Sequence, residues 1–164
     1  MSNNANVTDQ EISTDAVDTS IEKQKLRIWL RLLKVSRNIE AELRERFRLE
    51  FASTLPRFDV LAALDRAPQG LKMSQLSSVL KVSNGNVTGI IDRQVNDGLV
   101  VRAPVGGDKR AMMVKLTEQG QAHFSDMAKA HSQWLNELMS DIDQNDAAVL
   151  IELLDHIDMP RGDA

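Results

Sequence analysis

Between Ser83 and Arg93 the chain reads Ser-Asn-Gly-Asn-Val-Thr-Gly-Ile-Ile-Asp-Arg. Ser83, Asn84, Asn86, Thr88 and Arg93 bring hydroxyl, amide and guanidinium groups to one short stretch, none of which titrates near neutrality. That set suits hydrogen bonding to phosphates and base edges and is poorly suited to moving protons. A second cluster, Gly106-Gly107-Asp108-Lys109-Arg110, puts two cations on a flexible, glycine-bearing loop. An arginine held on such a tip can enter a narrow minor groove, where the negative potential is enhanced. Phosphate would repel Asp108, so its expected role is to hold an arginine in position.

Reactive chemistry is hard to find elsewhere. The chain has no cysteine, which excludes disulfides, thiolate zinc sites, thiol catalysis and thiol-based oxidant sensing. His123, His131 and His156 lack metal-ligand spacing, since eight residues along one helix span about 12 Å; structural or solvated histidines are expected. There is no glycine-rich phosphate loop and no Ser-His-Asp arrangement, and Asp141 and Asp143 read as part of an acidic surface. No catalysis, metal or cofactor is therefore expected. No apolar run approaches the roughly 20 residues that span a bilayer, and residues 1–20 are polar and acidic, unlike a signal peptide. With the missing cysteines, this leads to the expectation of a soluble cytoplasmic protein.

The hydrophobic pattern supplies the elements that must position the two clusters. Residues 1–20 contain almost no large apolar residue and are expected to form a disordered acidic tail. From about Ile21 to Phe51, Leu26, Trp29, Leu30 and Leu33 recur at helical spacing, beside a second stripe of Ile28, Leu32, Val35, Ile39 and Leu43. Two adjacent stripes predict a helix covered from two sides, as at a subunit interface. Leu55-Pro56 starts a helix with Phe58, Val60, Leu61 and Leu64 on its buried face, and Pro68-Gln69-Gly70 ends it. Short helices over about Met73–Leu80 and Asn84–Asp97 flank the turn Lys81-Val82-Ser83-Asn84, with Ser83 at the N-cap position and Gly98 as the stop. The period then changes. Leu99-Val100-Val101 and the alternating Met112, Val114 and Leu116 predict a hairpin whose tip is the basic cluster. Thr117 opens a long helix to about Asp141, and a last helix covers about Asn145–Asp158. The order describes a mainly α (α+β) chain built around a winged helix-turn-helix.

At 100° per residue, Val87, Ile90, Ile91 and Val95 share one side of the second short helix. The opposite side presents Gly85, Gly89 and Asp92, flanked by Asn86, Thr88 and Arg93. Each glycine costs a helix interior about 1 kcal/mol relative to alanine. Two readings of the pair stand: tight packing against a neighbouring helix, or close approach to DNA. The charge is also partitioned, although the whole chain carries −4. Residues 21–50 and 51–116 each hold nine bases and five acids, whereas 117–164 hold two bases and ten acids. Residues 1–20 hold four acids and no base. The basic middle, rather than the total, is the footprint expected of a nucleic-acid partner.

The segments Met73-Ser74-Gln75-Leu76, Ser83 to Thr88, Asp97-Gly98-Leu99-Val100, Asp108-Lys109-Arg110 and Leu116-Thr117-Glu118-Gln119-Gly120 together resemble MarR-family regulators. The resemblance covers about residues 25–158. It implies a homodimer that binds duplex DNA at near-palindromic operators, usually as a repressor released by a small ligand. It divides the chain into the tail (1–20), an N-terminal dimerisation helix (21–51), the winged helix-turn-helix (52–116) and C-terminal dimerisation helices (117–160). By match to the motifs, the DNA-binding set is Ser74, Ser83, Asn84, Gly85, Asn86, Thr88, Gly89, Arg93, Asp108, Lys109 and Arg110. Arg110 would enter the minor groove, steadied by Asp108. One residue departs from the pattern: Gln94 stands where the family normally has leucine, inside the apolar side of the helix. Either its amide finds a partner at the core edge or the helix packs differently.

The family pocket lies between the dimerisation layer and the winged domain. Arg27, Arg31, Lys34, Arg37 and Arg44 could serve an anionic ligand, and Trp29 or Trp134 could stack on an aromatic one, with core packing the competing role for both tryptophans. The candidate ligand residues are thus Trp29, Arg37, Arg44 and Trp134. Leu55-Pro56-Arg57-Phe58-Asp59 and the run Lys81 to Gly89 resemble regulators of aromatic-acid catabolism, some of which answer to aromatic acyl-CoA thioesters. The ligand expected is therefore an aromatic acid or its CoA thioester. The alternative function is a winged-helix module that binds protein partners without reading an operator; Gln94 and the acidic ends speak for it.

Overall fold

The computed structural model describes residues 12–105 and 108–157, with side chains throughout except at 12–19, 84, 105 and 108–111. The chain divides into two compact units, residues 1–45 and 46–164. Helix α1 (Ile12–Phe51) runs through the first and ends in the second. After it come α2 (Leu55–Asp65), β1 (Leu71–Lys72), α3 (Met73–Leu80), α4 (Asn84–Asn96), β2 (Val100–Val105), β3 (Asp108–Leu116), α5 (Glu118–Leu138) and α6 (Gln144–Asp155). The fold is mostly helical with one small antiparallel sheet, as the hydrophobic pattern predicts.

Three differences from the expected elements have local causes. Helix α1 starts at Ile12 rather than Ile21, because the sequence from Ile12 to Phe51 contains no proline or glycine to stop it. The expected disordered tail is therefore wrong over residues 12–20, and its remainder, 1–11, lies outside the described residues. Strand β1 is an addition to the expected elements. Its two residues pair Leu71 with Val114 and Lys72 with Met113, giving the strand order β1-β3-β2 with β3 central. Helix α5 ends at Leu138, short of Asp141, where Met139 leaves helical dihedrals (φ −113°, ψ 23°). Asp143 then caps α6, its Oδ1 accepting from the Asn145 and Asp146 amides at 2.8 and 2.9 Å.

Within the second unit the core is aromatic where the end of α1 meets α2 and α5. Phe47 is fully buried. Its ring centroid lies 4.8 Å from that of Phe58 and 5.0 Å from that of Trp134, the latter edge-on. His131 stacks on Phe58 at 4.8 Å, and His123 meets Phe51 edge-on at 6.0 Å. Complete burial of a phenylalanine side chain contributes about 1.5–3 kcal/mol. Below this cluster, Leu61, Leu64, Leu76, Val87, Ile91 and Val114 close the core of the helix-turn-helix and sheet.

The two strands of the wing are tied to α5 at one crowded junction. Thr117 caps α5, its Oγ1 accepting from the Gly120 amide at 2.9 Å and donating to the Gly98 carbonyl at 2.7 Å. Gly120 lies so close to the start of β2 that an added Cβ would sit 1.9 Å from the Leu99 carbonyl oxygen.

Two outcomes follow. Gly120→Ala should lower the unfolding free energy in urea by about 3 kcal/mol, since both clashing groups are backbone; a loss below about 1 kcal/mol would show that the junction can open freely. Burial holds the His131 imidazole below its ordinary pKa of 6.5. The unfolded chain therefore binds the extra proton first, so stability is complete above about pH 6.5 and falls as the pH drops below that value. Urea midpoints between pH 8 and 5 should show this fall, and His131→Phe should flatten it; an unchanged slope would place the dependence elsewhere.

Candidate nucleic-acid interface

Helices α3 and α4 form a helix-turn-helix whose turn is closed by an unusual residue. Lys81 adopts the left-handed conformation at φ 53°, ending α3, and is exposed. Non-glycine residues enter this region at a cost of about 1 kcal/mol or more. Nothing in the sequence signals that conformation. At the other end of α3 the Gln75 side chain accepts from the Lys72 amide at 2.9 Å, which accounts for Gln75 in the motif.

Helix α4 divides as its sequence predicts. Val87, Ile91 and Gln94 are buried, Ile90 and Val95 are less completely covered, and Gly85, Asn86, Thr88, Gly89, Asp92 and Arg93 are exposed. Ser83 is exposed as well. It occupies the N-cap position with extended dihedrals, yet its side chain makes no capping hydrogen bond. The amides of the first turn of α4 carry the positive end of the helix dipole, which favours an anion there. A Cβ added at Gly85 or Gly89 would meet nothing within 4 Å. Among the described residues, packing against another helix therefore does not explain either glycine. Ser74 lies in the first turn of α3.

Asp92 puts an acid on the exposed face of α4. Arg102 on β2 donates to its Oδ1 at 2.6 Å, a link between α4 and the wing that the sequence pattern does not single out. The helix ends in a Schellman motif. Gly98, at φ 73°, donates to the Val95 carbonyl at 3.0 Å, and Leu99 donates to the Gln94 carbonyl at 2.9 Å.

Gln94 finds a partner, the first of its two expected outcomes. Its Nε2 donates to the Arg57 carbonyl of α2 at 2.8 Å, and the residue is 0% exposed. The Arg57 guanidinium in turn pairs with Asp97, just past the end of α4. Two atoms of this cluster, Gln94 Oε1 and Arg57 Nε, are buried without a hydrogen-bond partner. Each such atom costs on the order of 1–3 kcal/mol.

In the wing, β2 pairs with β3 from Val100↔Leu116 to Val105↔Asp108, with an irregularity between Pro104 and Val105. Asp108, Lys109 and Arg110 thus belong to β3 instead of a loop, because the pairing continues to Asp108. Gly106 and Gly107 and the side chains of Asn84, Asp108, Lys109 and Arg110 lie outside the described residues.

The ligand candidates fall in both compact units. Trp134 is buried against Phe47 and Phe51, so packing takes up its ring, as the competing role requires. Trp29 is 57% exposed, contrary to a core role within one chain. Arg37 is exposed, and Arg44 pairs with Glu40 of its own helix at 2.7 Å. Trp29, Arg37 and Arg44 belong to the first unit and Trp134 to the second. An open groove of about 660 Å³ lies along α5 at the end of α2, lined by Phe124 and Ala128 together with Asp65, Gln121, Ser125 and Lys129. Sequence reasoning does not find it, since its lining comes from two separated helices. Among the described residues no group of His, Asp or Glu has the arrangement to hold a metal, and no helix is long and apolar enough to cross a membrane.

A helix-turn-helix with one exposed, glycine-bearing face and a two-stranded wing beside it defines the winged helix-turn-helix class. The model of the MarR family matches residues 54–111. A crystal structure of a MarR-family transcriptional regulator from Silicibacter pomeroyi is 33% identical and superposes with a TM-score of 0.71 over 83% of this chain and 94% of that one. The chain belongs to the MarR family. A cysteine-to-serine mutant of Escherichia coli MarR, solved in complex with operator DNA, is 26% identical with a TM-score of 0.71, covering 83% of this chain and 96% of that one. The HTH-type transcriptional regulator PecS of Dickeya dadantii is 29% identical over 103 residues, and the match spans 62% of each protein. The chain thus covers less than two thirds of that relative's length. All three are named as regulators or as MarR itself, not as enzymes.

Proposed function

We propose that this chain is a homodimeric, sequence-specific DNA-binding regulator of transcription, acting as a repressor that a small ligand releases. The observation that carries the reading is the exposed face of α4, where two glycines border open space and hydrogen-bonding side chains flank them. A helix so stripped on one side can approach the major groove closely. Asn84, Asn86, Thr88 and Arg93 would read or position there, with Ser74 and Ser83 at the phosphates. Lys109 and Arg110, with Asp108, would carry the wing into the minor groove. The operator complex of the E. coli MarR mutant supports this arrangement by likeness of fold and family.

Dimerisation accounts for an otherwise costly surface. No residue of α6 is buried, although Val149, Leu150, Ile151, Leu153 and Leu154 are all large and apolar. On α1, Ile21, Leu26, Ile28, Trp29, Leu30 and Val35 are exposed in the same way. Exposed apolar helix faces of this kind mark interfaces. A two-fold dimer would present its recognition helices to a near-palindromic operator. For the effector, the exposed cations Arg27, Arg31, Lys34 and Arg37 suit an anion such as an aromatic acid or its CoA thioester.

A duplex selected by the protein from random sequence gives the test. Gly89→Ala should stabilise the fold by about 1 kcal/mol, because among the described residues its methyl group meets nothing within 4 Å beyond its own helix backbone and chain neighbours. The same substitution should weaken operator binding at least tenfold. Arg110→Ala should weaken it too while leaving the dimer intact in sedimentation. A Gly89→Ala protein that binds as tightly as the parent would take this face out of the interface.

A further inference from the structure

We infer that Gln94, with Arg57 and Asp97, is the positioning device of the recognition helix, fixing its rotation and slide against α2; this rests on the DNA-reading function proposed above. Asp97 follows Gln94 by three positions, so the two lie on neighbouring turns of one side of α4 and its cap. Both engage a single residue of α2. The Gln94 amide donates to the Arg57 carbonyl at 2.8 Å, and the Arg57 guanidinium pairs with the Asp97 carboxylate. One contact fixes the helix to the main chain of α2, the other to a side chain from the same residue.

The apolar contacts around Gln94 cannot fix the helix alone. Burial of Val87 and Ile91 holds α4 on the core, but hydrophobic contact is not directional and tolerates small rotations. A hydrogen bond is confined to about 2.7–3.2 Å and a narrow range of angles. The consequence grows with distance from the axis. With side chains a helix is about 10–12 Å across, so a rotation of about 20° moves its outer surface by about 2 Å. Such a shift exceeds what a hydrogen bond to a base edge accommodates. The side of α4 opposite Gln94 is the side with Gly85, Gly89 and Asp92.

Core stability does not explain the residue. Gln94 Oε1 and Arg57 Nε lie buried without partners, and a leucine of similar size would bring no buried amide oxygen of its own. The geometry is what glutamine supplies and an aliphatic side chain cannot.

The test compares the full-length parent with Gln94→Leu, Gln94→Met and Asp97→Asn. For each, affinity is measured for the selected duplex and for a shuffled duplex of equal length, across a salt series, beside a urea melt. Gln94→Leu and Gln94→Met should keep or raise the urea midpoint and hold shuffled-duplex affinity within about twofold, with the same salt slope. Affinity for the selected duplex should fall tenfold or more. Asp97→Asn, which alters only a partly exposed group, should lose about threefold in the same sense. A merely structural role would move the melt and leave the ratio of the two affinities unchanged. Equal discrimination in Gln94→Leu, Gln94→Met and the parent overturns the inference. If both Gln94 variants unfold, an undiminished ratio in Asp97→Asn overturns it and a diminished one supports it. A parent that does not distinguish the two duplexes removes the DNA-reading proposal itself, and this inference with it.

Discussion

The fold turns on the contact between Gly120 and the Leu99 carbonyl. Four elements meet there within a few residues of one another. The end of α4 is closed by Gly98 and Leu99, β2 begins at Val100, β3 ends at Leu116, and α5 starts after Thr117. Thr117 knits them together, since its amide donates to the Leu99 carbonyl at 3.1 Å while its hydroxyl reaches the Gly98 carbonyl. Any side chain at Gly120 would force α5 away from the start of β2. Helix α4, the wing and the long helix α5 are therefore oriented from one point.

A division of labour along α4 follows from that anchoring. Its C-terminal half is held by the Schellman motif, by Gln94 on Arg57 and by Asp97 on the same arginine. Its N-terminal half carries glycines in open space and an N-cap serine whose side chain does no capping. Stability is thus concentrated at one end of the helix and given up at the other, where a partner would have to approach. Arg102 makes the same division on the wing side by neutralising Asp92, leaving the exposed face without an unbalanced acid there.

Much of this is legible in the residues. The period change at Leu99, the Gly98 stop and the Thr117 cap are local signals, because each reflects a dihedral or a hydrogen bond within a few positions. The apolar side of α4 is likewise legible from its spacing. What stays hidden depends on distant partners. Strand β1 is two residues long and exists because Val114 and Met113 lie opposite it. Gln94 is an anomaly in the sequence and is explained only by the α2 carbonyl 2.8 Å away. Trp134 and His131 are set by an aromatic cluster assembled from three helices, so their sequence neighbours say little about their roles. The early start of α1 escapes a reading that equates polarity with disorder, whereas an unbroken run of helix-tolerant residues continues the helix.

If α4 reads DNA from a two-fold dimer, hydroxyl-radical and methylation footprinting of the protein on its selected duplex tests the claim most directly. Two protected major-groove segments are expected, centred about one helical turn, or roughly 10 base pairs, apart, each flanked by minor-groove protection from a wing. A single protected segment, or uniform protection that disappears at moderate salt without any preferred position, would contradict it.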